Sequence, residues 1–379
     1  MSFDAIIDRR GTGSIKWDRH PDLDPFWVAD MDFAAPPQVL DAISERVRHG
    51  ILGYAQAHDG LNEAVLAYLQ QRHGARVPPD HVVHLGGLVP ALSLGARAFG
   101  DPGDAVMTCT PVYPPFLSVA KDAQMETLAI PHSLDAENRW SFDFSAMEAA
   151  VTSRTKVFFL SQPQNPLGRT FTRDEMVRLA EFCHRHDLIL MSDEIHCDLV
   201  LEEETTPFFS ALNLPENLRS KLIVLHSPSK TYNIAGLGYA YAVIEEPSLR
   251  RRFTAARGHT LPEINCLAYY AAEAAYRHGE PWRQELLAYL RNNRDIVTGF
   301  VRSELPNVSI PAIEATYLAW LDCTALGLDN PAKHLEKTQS LFLSDGAFFG
   351  VPGCIRFNFG CPRARVLEGL EKVKTGLAI

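Results

Sequence analysis

The stretch His226-Ser-Pro-Ser-Lys-Thr-Tyr-Asn233 stands directly behind the apolar run Leu222 to Leu225, so a lysine flanked by hydroxyls is delivered at the end of a buried strand. Four apolar residues closed by Ser and Pro read as a strand covered on both faces, the kind that builds parallel sheets. Two upstream segments repeat the arrangement. Leu188-Ile-Leu-Met191 leads into Ser192-Asp-Glu-Ile-His196, and the run Lys156 to Leu160 leads into Pro163-Gln-Asn-Pro-Leu-Gly168. In each, polar residues follow the carboxyl end of a strand, which is the edge where open α/β sheets bind ligands.

Working outward, further strands are expected at Val82 to Leu85, Ala105 to Cys109, Glu126 to Ile130 and Tyr239 to Ile244, making seven. Helical patterns fall between them at Pro90 to Phe99, Pro115 to Ala123, Phe144 to Val151 and Arg173 to His186. Thr172-Arg-Asp-Glu175 is a capping box for the last of these, in which threonine and glutamate satisfy backbone amides reciprocally. This alternation predicts an α/β fold: a large domain with a mostly parallel seven-stranded sheet flanked by helices. Helical patterns at Leu261 to His278 and Pro281 to Glu304 lead on to residues 306–379. That last stretch reads as an α+β piece with strands Tyr317 to Leu321 and Ile355 to Phe359 and a final helix Arg363 to Thr375. The expected division is a large cofactor-binding domain over 48–283 and a smaller α+β domain from 1–47 and 284–379.

A chain of 379 residues with 46% hydrophobic content can bury a core of this size. Its net charge of -10 argues against a nucleic-acid partner, because phosphate binding needs clustered positive surface. The densest basic run, Arg250-Arg-Arg252, reads as a solvated helix face. Seven cysteines without a C-x-x-C pair form no disulfide framework or metal-ligand spacing, so no metal is expected. No apolar run approaches the ~20 residues that span a bilayer, and the N-terminal residues lack the apolar core of a signal peptide. A soluble, cytoplasmic protein that makes no membrane contact is the expectation.

The polar residues at the strand ends fit a single cofactor, pyridoxal 5′-phosphate. Lys230 can form a Schiff base with its aldehyde, and Ser227 and Ser229 can donate to its phosphate. Asp193, as a carboxylate against the pyridine nitrogen, keeps the ring protonated and electron-withdrawing. Asn165 can donate to the phenolic oxygen from a turn set by Pro166 and Gly168, and His196 can approach the same oxygen or the ring. Gly86-Gly87-Leu88 opens a helix, where free amides and the absence of a side chain make a phosphate cradle. Tyr113, in Thr110-Pro-Val-Tyr-Pro-Pro115, can stack on the ring and assist proton transfer. Arg356, set between apolar neighbours on a predicted strand, is suited to bidentate capture of a substrate carboxylate. Singly, each has a plainer reading: a surface lysine, a loop aspartate, a β-turn, a packed aromatic, a structural ion pair. Their common placement favours the cofactor.

Together these segments resemble the fold-type I pyridoxal phosphate enzymes of the aspartate aminotransferase superfamily, class I/II, and most of all the MalY/PatB-type cystathionine β-lyases. The marks are Lys16-Trp-Asp18, Pro25-Phe-Trp-Val-Ala-Asp-Met-Asp-Phe33, Arg46-Val-Arg-His-Gly50 with Gly53-Tyr54, Pro111-Val-Tyr-Pro-Pro-Phe116, Ser192 to Leu199, Ser229 to Leu237, Ala315 to Asp322 and Arg356-Phe-Asn-Phe-Gly-Cys-Pro362. The resemblance implies that Lys230 is the Schiff-base lysine, that Asp193, Asn165, His196 and Tyr113 surround the ring, and that Gly87, Leu88 and Ser227 hold the phosphate. Arg356, with Asn165 beside it, would bind the amino-acid carboxylate. It also implies a homodimer with a shared active site, Tyr54 reaching the partner's phosphate, and Trp27 to Phe33 at the substrate entrance.

The implied reaction is β-elimination from cystathionine or a related S-substituted L-cysteine, giving a thiol, pyruvate and ammonia. An aminotransferase acting on an L-amino acid uses the same parts and stays open as the alternative. This chain departs from the family pattern at Gln164, where histidine is usual, and in Leu261-Pro-Glu-Ile-Asn265. Gly236-Leu-Gly238 stands where many aminotransferases carry a phosphate-binding arginine, which agrees with the lyase branch.

Overall fold

Side chains of successive residues in the apolar runs point to opposite sides of one sheet, and both sides are buried. Val157 and Phe159 pack with Ile189, Met191, Ile223 and Leu225 on one face, while Phe158, Leu160, Leu190, Leu222 and Val224 pack on the other. That is why these runs carry no polar alternation. In the computed structural model, which describes residues 2–135, 139–258 and 261–378, they form strands β1 (Val82–Leu85), β2 (Ala105–Thr110), β3 (Glu126–Pro131), β4 (Thr155–Ser161), β5 (Ile189–Asp193), β6 (Leu222–His226) and β7 (Ala240–Val243). Met1 and Ile379, at the ends of the expected small domain, lie outside the described residues. The sheet order is β1-β7-β6-β5-β4-β2-β3, with β7 antiparallel to both neighbours and the other pairs parallel.

Register brings the chemistry together. Asp193 is level with Ser161 on β4 and with Leu225 on β6, so three adjacent strands end side by side. The reversed β7 starts beside the end of β1, with Ala240 opposite Leu85. There Gly238 takes φ +64° and a Cβ would stand 3.1 Å from the Gly86 carbonyl, so glycine suits both the turn and the close approach.

Helices α1 (Pro37–His49), α2 (Asp59–His73), α3 (Leu88–Phe99), α4 (Pro115–Asp122), α5 (Phe144–Ala150), α6 (Arg173–Arg185), α7 (Pro247–Arg257) and α8 (Cys266–His278) accompany the sheet. α3, α4 and α7 cover one face, and α2, α6 and α8 the other. The capping box forms as expected: Thr172 Oγ1 accepts from the Glu175 amide and Glu175 Oε2 from the Thr172 amide. The Arg250-Arg-Arg252 run lies on α7, with Arg251 and Arg252 exposed.

Several boundaries differ from expectation, two of them for plain local reasons. Asp193 is the last residue of its strand and not the first beyond it, because it still pairs with both neighbours. The helix expected from Leu261 begins at Cys266: Pro262 disfavours helical backbone at Leu261, and Asn265 supplies the cap by accepting from the Leu267 amide at 2.8 Å.

The 25-residue α9 (Glu280–Glu304) runs from the large sheet to a second core. This core contains a three-stranded antiparallel sheet of β8 (Leu318–Asp322), β9 (Ser344–Asp345) and β10 (Cys354–Asn358), closed by α10 (Pro331–Gln339) and α11 (Arg363–Leu377). Ile355 and Phe357 of β10 face into it with Leu286, Leu290, Val366 and Leu370. Arg356, between them, points the other way. All seven cysteines are free and buried. No helix among the described residues is long and apolar enough to cross a membrane.

Candidate active site

A cavity of about 220 Å³ opens at the carboxyl ends of β4, β5 and β6, and most of the expected residues line it: Lys230, Asp193, Asn165 and His196 at its base, and Tyr113 on one wall. Gly87, Leu88 and Ser227 line its far end, where β1 leads into α3, joined by Ser229 and Tyr239, while Ser161 lines it level with Asp193. Arg356 reaches the same place from the second core by donating from Nη1 to Asn165 Oδ1 at 3.0 Å. Tyr54 does not: it lies outside the cavity of its own chain and is fully exposed.

The far end presents free backbone donors. α3 begins at Leu88, two residues earlier than the sequence pattern suggests, and its N-terminus carries no side-chain cap. Its first amides and the positive end of the helix dipole are therefore free to meet a phosphate. Gly87 takes φ +150°, a backbone that residues with a side chain rarely adopt. Ser227 Oγ is tied back to the Tyr239 carbonyl at 2.6 Å and receives the Ser229 amide at 3.1 Å, which fixes the loop that carries Lys230.

The base holds a carboxylate in need of a cation. Asp193 is buried with one hydrogen bond, from the Ile195 amide at 3.0 Å, and desolvation pushes its carboxyl up to about 7. Burial likewise pulls the Lys230 ammonium down to about 8, against the attraction of Asp30 and Asp193. Lys230 Nζ donates to the Ala29 carbonyl at 2.7 Å, which Tyr317 also engages at 3.0 Å. His196 is held neutral, its imidazole pulled to about 3 by burial, and its Nδ1 is buried without a partner. Burial also raises the Tyr113 hydroxyl above its ordinary range.

Arg356 carries the strongest signal. Its side chain is 4% exposed, yet among the described residues no carboxylate pairs with it. It spends its donors on Asn165, on the Trp27 carbonyl at 2.5 Å and on Ser344 Oγ at 3.3 Å, stacks over Phe349, and leaves Nε unpartnered. Desolvation pulls the guanidinium down to about 10. A buried cation without an anion is costly unless a ligand supplies one, so the plainer reading as a structural ion pair fails.

These features fit pyridoxal phosphate: one cavity offers amides for the phosphate, a carboxylate for the ring nitrogen and an amine for the aldehyde. The sequence reading missed Tyr239, Tyr317 and Asn233. Asn233 takes φ +54° and grips the Met31 amide and the Met31 and Phe33 carbonyls, at 3.0, 2.9 and 2.7 Å. An asparagine three residues past the lysine was the available signal, since asparagine tolerates that backbone.

Asp193 sets a pH-dependent prediction. Its folded pKa near 7 lies above the ordinary 3.8, so its contribution to stability is present below about pH 3.8 and is lost as pH rises to about 7. Cofactor-stripped Asp193→Asn is therefore expected to melt higher than stripped wild type at pH 8, by about 2 °C or more, with the gap closing towards pH 4. After cofactor loading the order should reverse. Thermal melts at both pH values check this, and a gap that is constant with pH would refute it.

Residues 26–373 match the family model for aminotransferase class I and II. The chain is 36% identical to cystathionine beta-lyase PatB of Bacillus subtilis (strain 168), over 100% of both chains. Among solved structures it superposes on OvoB with a TM-score of 0.96 at 38% identity, covering 100% of this chain and 99% of that one. The pyridoxal phosphate-bound C–S lyase of Staphylococcus hominis gives a TM-score of 0.92 at 31% identity, covering 100% and 98%.

Proposed function

The chain belongs to the aminotransferase class I and II family, and from that premise we propose that it is a pyridoxal 5′-phosphate-dependent carbon–sulfur β-lyase. It cleaves cystathionine or a related S-substituted L-cysteine to a thiol, pyruvate and ammonia. Full-length likeness to a cystathionine β-lyase carries the reaction type. The unpaired, buried Arg356 beside Lys230 supports an amino-acid substrate held by its carboxylate.

Gly87, Leu88 and Ser227 would hold the cofactor phosphate, Ser227 by turning its hydroxyl from the Tyr239 carbonyl, Asp193 its ring nitrogen, and Asn165 and His196 its oxygen side, with Tyr113 against the ring. Bound there, the cofactor supplies an aldehyde for the substrate amine and a ring that draws electrons from Cα. Arg356 anchors the carboxylate and so sets which bond at Cα faces Lys230. Lys230, with its amine titrating near 8, would take the Cα proton and pass it to the sulfur of the leaving thiolate, while water completes the conversion of the three-carbon fragment to pyruvate and ammonia. Asp193, buried and acceptor-only when ionised, holds positive charge at the ring nitrogen while this happens.

The decisive assay incubates the loaded enzyme with cystathionine and no keto-acid acceptor. Pyruvate and free thiol should appear in equal amounts. Keto acid formed only when an acceptor is added, with no thiol, would make the protein an aminotransferase instead.

The exposed apolar residues Ile51, Leu52 and Tyr54 support a homodimer in which a second copy covers this segment and Tyr54 reaches the partner's phosphate site. Buried free thiols are consistent with work in the cytoplasm. The domain division proposed is 48–283 against 1–47 with 284–379, with α9 carrying the chain between them.

A further inference from the structure

We propose that His73, Cys197 and His226 form a binding site for one zinc-like divalent ion, behind the cofactor cavity and separate from it. His73 ends α2, Cys197 lies in the short turn Cys197–Leu199 after β5, and His226 ends β6. Their ligand atoms all lie within 4.8 Å of one another, and this is the one such group among the described residues. Cys197 Sγ and His226 Nδ1 stand 3.7 Å apart. A tetrahedral zinc ion with bonds of about 2.3 Å to sulfur and 2.0–2.1 Å to nitrogen sets those two ligands roughly 3.6 Å apart. The pair is already at coordination distance, and a ring nitrogen of His73 lies within 4.8 Å of both.

The surroundings are those of a metal site. Histidine ligands are commonly oriented by a carboxylate on the far ring nitrogen, and Glu194 Oε2 lies 3.3 Å from His226 Nε2. Glu194 is itself fixed, receiving Ser192 Oγ at 3.1 Å, Ser210 Oγ at 2.6 Å and the Ala211 amide at 2.8 Å. His226 Nε2 makes no aligned hydrogen bond, and Glu194 stands near enough to accept one from it when Nδ1 turns to an ion. Tyr68 Oη lies 3.3 Å from Cys197 Sγ and 3.2 Å from His73 Nε2 but donates to Asp198 Oδ2 at 2.8 Å, so the fourth position falls to a water. His73 is only half-buried and provides a way in from solvent.

The plainer reading is a packed cluster of rings, since His226 stacks on Tyr241 and lies near His73. A thiol–imidazole hydrogen bond satisfies Cys197 and His226 as a pair; what ring packing leaves unexplained is the convergence of a third ligand, His73, within the same 4.8 Å. Binding breaks the S–H bond of Cys197, releases its proton to solvent and leaves the sulfur electron pair on the metal. Each group adjoins a cavity residue, Cys197 next to His196, His226 next to Ser227 and Glu194 next to Asp193, so an ion here would brace the cavity from behind.

The test uses cofactor-loaded enzyme, treated with chelator, re-supplied with zinc and dialysed, with metal counted by mass spectrometry. Cadmium titration reports the thiolate bond directly through its ultraviolet charge-transfer band. Wild type should hold one zinc per chain and show the band; Cys197→Ser should lose both, and His73→Gln should bind at least tenfold more weakly. Zinc at background in wild type, or retention unchanged in both variants, would overturn the proposal. Should Cys197→Ser fail to fold, His73→Gln decides alone, because its site is a half-buried helix end.

Discussion

Lys230→Ala is expected to lower kcat for thiol release by at least about 10⁴-fold, since it removes both the covalent anchor and the proton carrier. No neighbour can substitute. His196 is neutral but buried with its titration near 3, too weak a base for a Cα proton, and the Tyr113 hydroxyl is pushed the other way by burial. Lys230 alone among the cavity residues pairs a primary amine with a titration near 8, close to working pH. The variant should still bind the cofactor through the phosphate cradle and Asp193, but without the visible absorption of the imine-linked form. Retained turnover within tenfold of wild type would remove Lys230 from the chemistry, and an unchanged visible spectrum would remove it from the cofactor link.

Arg356→Gln is expected to lower kcat/KM for cystathionine by about 10²-fold or more, ~3 kcal/mol, with the loss mostly in KM. The guanidinium is buried without a carboxylate partner among the described residues, so its replacement breaks no ion pair while the substrate loses its anchor. Arg356→Lys tests the shape of the contact. A point charge cannot make two parallel hydrogen bonds, so lysine should recover only part of the loss. Equal loss for substrates with and without the α-carboxylate would show that Arg356 acts on the fold and not on the substrate.

Much of the site was legible because its residues stand where buried strands end, and buried strands announce themselves as unbroken apolar runs. Lys230, Asp193 and Asn165 follow from Leu222 to Leu225, Leu188 to Met191 and Lys156 to Leu160 in that way. What the pattern leaves open is tertiary. Neither residue alone reveals that Asn165 receives a hydrogen bond from Arg356, because the two are 191 positions apart and belong to different cores. Nor does the hold of Asn233 on residues 31–33, which depends on a left-handed backbone within a polar loop. The His73, Cys197 and His226 cluster gave no spacing signal, since its members come from a helix end, a turn and a strand end.

The level alignment of Ser161, Asp193 and Leu225 makes the sheet a ruler. Neighbouring strands keep a spacing of about 4.8 Å whatever side chains they carry, so the separations between Ser161, Asp193 and the start of the Lys230 loop are graduated by backbone hydrogen bonds. Substitutions in the loops change what is gripped at each mark without moving the marks. A slip of β5 by one residue is the exception, since it would turn Asp193 to the opposite face of the sheet. The ladder on both sides of that strand is therefore what keeps the instrument in calibration.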